Sequence, residues 1–302
     1  FRSDVKYRLS VDYETVKAIK PDIIYASISG FGQDGPYATR PGVDQIIQGM
    51  SGLMSVTGEP GRGPMRVGVA ISDTSAGMFL GQGILLALLH RERTGEGQWV
   101  HTSLLEAMMS KLDFQGARYT MKGEVADQQG NDHPTQVPMG TFEAKDGFVN
   151  IAAFGDVMWK RFCDALGAQG LFDDPEYQTV RDRSSRPKKI KEDMNQVTSQ
   201  RTVSDLVEVL NAAGVPTGPI NNIGEGFEDA QVKHLKLAKL APHAELGDLN
   251  LVRSPINLSQ FPQSESFDNA APDPGANSVE VLEQLGFDPL RISKLQEEGV
   301  IG

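Results

Sequence analysis

The stretch that decides the fold is Val67–Gly77, Val-Gly-Val-Ala-Ile-Ser-Asp-Thr-Ser-Ala-Gly, which leads directly into the apolar segment Met78–Leu89. Its first half has the composition of a short β-strand that ends at Ile71, and its second half is typical of a helix start. Asp73 is therefore predicted where a strand gives way to a helix. This places its carboxylate beside the positive end of the helix dipole.

Two interpretations of Asp73 follow from this position. A single Asp before a helix most often only caps it, which stabilises the helix by roughly 0.5–2 kcal/mol. However, Ser72, Thr74 and Ser75 stand beside it and are all competent to cap, so the helix does not need this Asp for that purpose. The segment behind it is apolar on nearly every face and contains several glycines, which predicts a buried helix approached closely by other backbone. Asp73 is thus expected at the floor of a pocket.

Composition and charge exclude several classes of protein. The chain has 302 residues, 39% hydrophobic and 23% charged, which is ordinary for one large or two ordinary globular domains. A net charge of −11 argues against a nucleic-acid partner or an anionic membrane surface. One cysteine, Cys163, cannot form an internal disulfide, and five scattered histidines show no metal-ligand spacing. We therefore expect a cytoplasmic, reducing location and no metal.

No window of the sequence is expected to span a membrane. The apolar segment Met78–Leu89 is interrupted by Gly81-Gln82-Gly83 and ends at the charged run His90–Arg93. The chain opens on Phe1-Arg2 with neither an initiator Met nor a signal-peptide pattern, so we expect it to begin inside a longer protein.

Residues 1–122 are predicted to form a large parallel α/β domain. Strand and helix patterns alternate in this region, which is typical of a parallel sheet covered by helices. The predicted elements are a strand at 23–29, a glycine-rich loop at 30–36, a helix at 43–54, the strand and helix around Asp73, a strand at 98–102 and a helix at 103–121. A glycine-rich loop after such a strand is a common ligand-binding position in open α/β sheets.

The remainder of the chain is predicted to contain a linker at 123–138, a smaller α+β domain at 139–226 and a return segment at 227–302. The small domain is expected to have a β-hairpin that turns at Asp146-Gly147 and helices at about 155–167, 181–200 and 202–213. The return segment is Pro-rich and extended over 242–275. Its helix at 278–298 is expected to pack on the large domain.

Several motifs, each weak alone, occur in a specific order along almost the whole chain. They are Phe1-Arg2 with Arg8-Leu9, Tyr25–Pro36, Gly49–Met54 with Thr57-Gly58, Ile71–Gly77, Arg91–Gln98, Ser103–Ala107, Gly214–Pro219 and Val279–Gly286. In this order they resemble the family III CoA-transferases, which include formyl-CoA transferase, carnitine CoA-transferase and 2-methylacyl-CoA racemases. The resemblance implies a large Rossmann-like domain that lacks its amino-terminal units here. It also implies a homodimer whose two chains are interlinked.

The resemblance further implies a catalytic role for Asp73 as nucleophile, with a coenzyme A thioester as substrate and no permanently bound cofactor. Arg8 matches a family position that contacts CoA, and Phe1 and Arg2 lie where the adenine-side pocket is expected. The run Gly42-Val43-Asp44 matches a loop that lines the pantetheine arm. Two simpler interpretations stay open: the arginines form a solvated basic end, and Asp44 is a helix N-cap.

Three functions remain in view. The leading hypothesis is an acyl-CoA:carboxylate CoA-transferase, with a preference for dicarboxylates that rests on likeness to succinyl-CoA-using members alone. The alternative is an acyl-CoA racemase or isomerase, which needs a proton acceptor on each face of the α-carbon; the family's racemases have a His where this chain has Val43. A non-enzymatic CoA-binding subunit would bind CoA esters without exchanging CoA between acids.

Some polar residues are given structural roles or none. Glu106 follows a strand but is expected to be structural, since the motif places the nucleophile at Asp73. His133 and His234 are assigned no role, and Cys163 is expected to be a buried apolar residue. The chain has Gln136–Gly140 where many transferases of the family have a glycine run that covers the nucleophile, so the shielding of the intermediates stays open.

Overall fold

The computed structural model describes residues 3–301 and shows a mixed α/β chain with parallel and antiparallel sheets. The chain divides into two compact units, Phe1–Pro219 and Ile220–Gly302. The α/β prediction is confirmed in this general form. The Rossmann-like arrangement, the interlinked chains and the domain boundaries near residues 122, 138 and 226 stay predictions.

The first part of unit 1 is built around a parallel pair of strands. Its elements are α1 (Val5–Arg8), α2 (Tyr13–Ile19), β1 (Tyr25–Ser29), α3 (Asp44–Met50), α4 (Leu53–Val56), α5 (Ile71–Thr94), β2 (Trp99–Ser103), α6 (Leu104–Lys111) and α7 (Asp113–Lys122). Strands β1 and β2 pair in parallel, and Ser29 lies opposite Ser103 at their carboxyl ends. The two predicted strands are therefore confirmed. The single helix predicted at 103–121 is wrong. Two helices form instead, because the helix is interrupted at Leu112 and Asp113 has a φ of +49°.

The strand predicted to end at Ile71 does not form. Its backbone bonds to a side chain instead of a neighbouring strand: the Val67 N–H donates to Oε1 of Gln48 at 2.8 Å, and Nε2 of Gln48 donates to the Val69 carbonyl at 3.3 Å. β-branched composition favours extended backbone but does not decide where its hydrogen bonds go. This segment consequently lies along α3, outside the parallel sheet.

Helix α5 begins without a local side-chain cap. Its N-cap is Ala70, and the N–H of Ser72 donates to Oδ1 of Asp44 at 3.0 Å, while the Ser72 hydroxyl donates to the same oxygen at 2.9 Å. The predicted local capping is therefore wrong. One of the unpaired N–H groups of the helix start is satisfied by a carboxylate 28 residues away.

One side of α5 is buried and the other is exposed. Ala76 and Ala87 are buried, and the helix packs against α6 and β2. Met78 and Leu85 on the other side are 64% and 67% exposed. The expected burial on nearly every face is therefore seen only in part.

The prediction that no segment reaches membrane-spanning length is wrong, because Gly81 and Gly83 lie inside a continuous 24-residue helix. Glycines in a helix interior cost about 1 kcal/mol each but do not end it. Among residues 3–301, α5 alone is long and apolar enough to cross a bilayer, and 22% of its apolar window is buried. Core helices of water-soluble proteins can meet the same length and composition test, so this helix is weak evidence for a membrane-spanning segment.

The second part of unit 1 is an antiparallel sheet covered by helices. It contains β3 (Met139–Ala144), β4 (Gly147–Ala152), α8 (Gly155–Leu166), α9 (Gln169–Asp173), a 3₁₀ turn (Pro175–Tyr177), α10 (Val180–Ser185), α11 (Pro187–Thr198), α12 (Val203–Ala212) and β5 (Thr217–Pro219). The sheet order is β3-β4-β5, which confirms the predicted hairpin, although its turn lies at Lys145-Asp146, one residue before the predicted Asp146-Gly147. The helix predicted at 181–200 is two helices, because Pro187 starts a new one.

The core of this part lies between the sheet and its helices. Alternate residues of β4 face it: Val149 and Ile151 are buried, whereas Phe148 is 59% exposed. The helices contribute Trp159, Phe162, Ile190, Met194, Leu206 and Leu210, and Cys163 is buried with them. Its full burial confirms the prediction for Cys163, and burial raises the pKa of the thiol to about 12.

Unit 2 contains helices and one hairpin. Its elements are α13 (Ile223–Glu228), α14 (Ala230–His234), β6 (Ala238–His243), β7 (Gly247–Val252), α15 (Ser278–Gln284) and α16 (Pro289–Glu297). The β6–β7 hairpin was not predicted. The predicted helix at 278–298 is interrupted at Gly286, which has a φ of +81°. The packing of this end on the large domain stays a prediction.

Replacement of Phe162 by Ala should lower the free energy of unfolding by about 3–5 kcal/mol, because its fully buried ring leaves a cavity that the core cannot fill. Urea unfolding monitored by circular dichroism measures the change. Phe148→Ala removes the same atoms from an exposed position and should cost far less. Equal losses in the two variants would contradict the described core.

The pKa of the Asp44 carboxyl should make stability depend on pH. Burial alone would raise it, but hydrogen bonds from the Ser72 N–H, the Ser72 hydroxyl, Gln48 and Arg66 outweigh burial and hold it below its ordinary value. A lowered pKa in the folded state means that the ionised form contributes stability above the unfolded pKa of about 3.9. That contribution is lost as pH falls through the folded pKa.

Asp44→Asn should therefore lower the free energy of unfolding by about 1–3 kcal/mol near pH 7. The difference from wild type should stay constant above about pH 5 and shrink below about pH 4. Denaturant midpoints across this range measure it. Asp34→Asn, at an exposed loop position, should change stability by less than about 0.5 kcal/mol. A difference for Asp44→Asn that grows on acidification would refute the assignment.

Candidate active site

A cavity of about 490 Å³ opens at the carboxyl end of β1, next to the first turn of α5. Its walls come from three places: the end of β1 with the glycine that follows, the loop before α3, and the starts of α5 and α6. The lining residues are Ile28, Ser29, Gly30, Ala38, Arg40, Pro41, Gly42, Val43, Asp73 and Leu104. The cavity therefore lies at the edge of the sheet where the sequence predicted a ligand.

Asp73 is the one carboxylate among the described residues that line this cavity. It is the third residue of the 24-residue helix α5, and its side chain is exposed. No hydrogen bond or ion pair joins its carboxylate to any other part of residues 3–301. Since Asp44 bonds to the helix start instead, the Asp73 carboxylate is free to meet a substrate.

Two glycines bring the cavity walls into backbone contact. A Cβ atom on Gly30 would lie 2.7 Å from Cα of Gly42, and one on Gly42 would lie 2.9 Å from Cα of Gly30. Any side chain at either position would force the two chain segments apart. The cavity wall at this point is therefore bare backbone, which can approach a bound group closely.

The predicted CoA-binding residues divide into three groups. Gly42 and Val43 line the cavity, and Val43 is the N-cap of α3. Asp44 is 7% exposed and bonds to Ser72, and Gln48 and Arg66 complete its partners. Asp44 is therefore buried and does not line the cavity itself. Its contact with CoA stays a prediction.

The remaining predicted CoA contacts lie at the amino-terminal end. Arg8 is exposed at the end of α1 and does not line the cavity. Phe1 and Arg2 lie outside the described residues. The CoA contacts of all three stay predictions.

Two other polar residues have local structural contacts, and a third lies in unit 2. The Ser103 hydroxyl donates to Oε2 of Glu106 at 2.6 Å, and the Glu106 N–H donates back to Ser103, so this pair caps α6. Nδ1 of His133 accepts from two backbone N–H groups of its own loop, and its ring stacks on Phe114. His234 lies in the last turn of α14 in unit 2. These contacts agree with the sequence interpretation of Glu106.

Sequence reasoning missed Arg40, Gln48 and Lys6. Arg40 lines the cavity with its guanidinium carbon 3.9 Å from the centre of the Tyr37 ring. The Nζ of Lys6 donates to Gln33 at 2.7 Å, and burial lowers the pKa of this amine. The run Arg40-Pro-Gly after the glycine-rich loop was an available signal for Arg40. Nothing in the sequence marked Gln48 or Lys6, because each acts on a distant segment.

The described site offers a free carboxylate, a neighbouring cation and glycine backbone. This set suits a carboxylate nucleophile that attacks an acyl group. No cluster of three or more His, Cys, Asp or Glu side chains stands close enough to hold a metal ion within residues 3–301. The absence of a bound metal stays a prediction.

Comparisons with known proteins identify the family. A sequence model described as CoA-transferase family III matches residues 1–278. The chain is 36% identical over 286 residues to a succinate–glutarate CoA-transferase of Agrobacterium fabrum, covering 94% of this chain and 71% of that protein. It is 37% identical over 226 residues to an acetyl-CoA:oxalate CoA-transferase of Acetobacter aceti, covering 74% of this chain and 58% of that one.

Solved structures agree with the sequence comparisons. A CaiB/BaiF family protein from Brucella suis superposes with a TM-score of 0.80 at 33% identity, covering 94% of this chain and 74% of that one. The Rv3272 protein of Mycobacterium tuberculosis has a TM-score of 0.82 at 20% identity, covering 93% of this chain and 74% of that one, and supports the fold alone. The chain therefore belongs to CoA-transferase family III.

Proposed function

We propose that this protein is an acyl-CoA:carboxylate CoA-transferase in which Asp73 is the nucleophile. One observation carries the proposal: Asp73 has an exposed carboxylate without a partner among the described residues, in the first turn of a long helix and in the wall of a 490 Å³ cavity. The relatives named above are CoA-transferases, which supports the reaction class. The chain spans 58–71% of those two relatives, so the activity of the whole protein is part of the proposal.

The proposed reaction begins with attack of the Asp73 carboxylate on the thioester carbon of the donor acyl-CoA. The C–S bond breaks, CoA leaves as a thiolate, and the acyl group forms a mixed anhydride with Asp73. The thiolate then attacks the Asp73 carbonyl carbon, which releases the donor acid and leaves an aspartyl–CoA thioester. Every bond broken is matched by one formed, with no change of oxidation state.

The acceptor acid completes the exchange by the reverse steps. Its carboxylate attacks the aspartyl thioester and expels the CoA thiolate, and this thiolate then attacks the acceptor's carbonyl carbon. The new acyl-CoA is released and the Asp73 carboxylate is restored. Negative charge develops on the carbonyl oxygen at each step, and fixed dipoles such as the positive end of α5 would stabilise it.

A dicarboxylic acid is the proposed acceptor. The two relatives above are named for succinate, glutarate and oxalate, and a relative from Haloarcula marismortui is named for mesaconate. All four acids have two carboxylates. Arg40 is the cation in the cavity wall and would meet an anionic part of the substrate. The identity of the donor and acceptor rests on this charge and on the relatives' names.

The racemase alternative has less support from the site. A two-base mechanism needs an acid or base on each face of the α-carbon. Val43 lines the cavity where the family's racemases have a His, and a valine cannot transfer a proton. A racemase would exchange the substrate's α-proton with deuterated water in the absence of any acceptor acid, whereas the proposed transferase would not.

The aspartyl intermediate provides a direct test. After incubation of the full-length protein with succinyl-CoA, hydroxylamine or borohydride should modify Asp73, which peptide mass spectrometry would locate. Asp73→Ala should lose turnover by roughly 10³-fold or more, because the nucleophile is gone. Glu106→Gln replaces a nearby carboxylate that caps α6 and should keep turnover within about threefold. Full turnover in Asp73→Ala would refute the proposal.

We also propose a cytoplasmic homodimer with interlinked chains. The exposed apolar side of α5, with Met78, Leu85, Leu86 and Leu89, is the kind of surface that another chain segment covers in an assembled protein. A cytoplasmic location suits a protein whose only cysteine is a buried thiol.

Sedimentation of the full-length protein tests the assembly. Because an interlinked dimer would bury large apolar areas, folding and association should be inseparable. We expect a dimer at submicromolar concentration and loss of helical circular dichroism together with dissociation. A folded monomer that binds CoA under these conditions would contradict the dimer and leave the Asp73 chemistry intact.

A further inference from the structure

The side chain of Gln48 is fully buried in α3, and both ends of its amide are bonded. Its Oε1 accepts the Val67 N–H at 2.8 Å. Its Nε2 donates to the Val69 carbonyl at 3.3 Å and to Oδ2 of Asp44 at 2.8 Å. This pattern fixes which end of the amide is oxygen, because each end has a partner of one kind only.

Asp44 continues the same hydrogen-bond network toward the cavity. Its Oδ1 accepts the Ser72 N–H and hydroxyl, and its Oδ2 accepts from Gln48 and from Arg66 at 3.2 Å. Ser72 is joined to Asp73 by one peptide bond. Two buried side chains of α3 therefore bond to the residue next to Asp73 and to the segment that precedes it.

No regular element holds the segment that precedes α5. Residues 57–70 form neither helix nor strand, and Gly61 and Gly63 have positive φ angles. The side-chain hydrogen bonds that tie residues 67–72 to α3 come from Gln48 and Asp44, and Ile71 also packs against the core cluster that includes Ile47. Packing against α6 and β2 places α5 as a whole, and the bonds from α3 act on its first turn and on the segment before it.

We propose that Gln48 and Asp44 are positioning residues that set where the Asp73 carboxylate meets the thioester. The inference rests on the proposed function, because it assigns these residues to the same reaction. Neither side chain lines the cavity, so each acts through the backbone of residues 67–72. A misplacement of about 1 Å at a reacting group can cost about 10²-fold in rate. Loss of these hydrogen bonds should therefore lower kcat and leave KM nearly unchanged.

Gln48→Glu is the most informative variant, because it keeps the shape of the side chain and makes its hydrogen bonds to residues 67–69 and Asp44 depend on pH. In its protonated form, the introduced carboxyl group would still accept from Val67 and donate to Val69 or Asp44. In its ionised form, it would place a second carboxylate against Asp44, and burial together with this like charge should raise its pKa.

Apart from Asp73, the charged groups on the elements packed against α3 lie in other contacts or at a distance. α4 has no charged side chain, α6 has Glu106 and Lys111, and α5 has Asp73 in its first turn and the run His90–Arg93 at its far end, roughly 25 Å along the helix axis. Glu106 binds Ser103, and Lys111 lies 5.7 Å from the centre of the Phe79 ring. Arg66, in the loop before α5, binds Asp44. The charge bonded to Gln48 is therefore that of Asp44 on α3 itself.

The matched control is Gln45→Glu, the same substitution at an exposed position of the same helix. The kcat of Gln48→Glu should approach that of Gln45→Glu near pH 5 and fall about 10²-fold below it by pH 8, with KM within about threefold. Both kcat values are taken per folded enzyme, with the folded fraction measured by circular dichroism at each pH, because a buried carboxyl group with a raised pKa also makes stability fall as pH rises. A role confined to stability would then leave the two kcat profiles equal. Equal kcat profiles for the two variants would overturn the inference.

A second variant keeps the test decisive if Gln48→Glu does not fold. Gln48→Met removes the hydrogen bonds at similar volume and should lower kcat about 10²-fold at every pH, again with little change in KM. A wild-type kcat in Gln48→Met would overturn the inference. The acyl label separates the two proposals: an unlabelled Asp73 in the wild type would refute the proposed function, and a labelled Asp73 with unaffected Gln48 variants would refute the positioning role alone.

Discussion

The N–H of Ser72 donates to the buried carboxylate of Asp44, and the candidate active site depends on this bond. A helix start leaves several N–H groups without partners, and the usual solution is a side chain immediately before the helix. Here the partner comes from α3, so the start of α5 is fixed to a second element. Because Asp44 accepts from this donor, the neighbouring carboxylate of Asp73 is not needed to cap the helix. Two carboxylates at one helix end therefore have separate roles, one buried and fully bonded, the other exposed.

The wall of the cavity beside Asp73 is made of backbone as much as of side chains. Gly30 and Gly42 lie so close that a Cβ atom on either would clash with the Cα atom of the other, which brings the loop after β1 against the loop before α3. Backbone dipoles held in this way move little when charge develops on a substrate, and such preorganisation is a large part of enzymatic stabilisation. Side-chain chemistry in the cavity is correspondingly sparse. The differences in function among relatives that share this fold should therefore lie in a few positions, of which Arg40 and Val43 are the evident ones.

Much of the chain could be predicted from local pattern. The two parallel strands, the β3–β4 hairpin and the α8 and α12 helices follow from hydrophobic period and turn residues, which depend only on neighbours in the sequence. Helix interruptions were harder to place: Pro187 and Gly286 were visible in the sequence but were assigned to longer helices. The β6–β7 hairpin was missed because it overlaps a Pro-rich segment that was predicted to be extended, although Gly247, with a φ of +72°, follows a short three-residue loop.

The sequence by itself determined the family and singled out Asp73, because the order of short motifs and the residues that open a helix are local properties of the chain. Tertiary structure alone decided how that aspartate is presented. The segment before it looked like a strand, yet its hydrogen bonds go to Gln48; the helix seemed to have its own caps, yet Asp44 supplies the bond. Local composition states how many hydrogen bonds a segment needs. It does not state which distant side chain will satisfy them, because that choice is made only when α3 and α5 pack together.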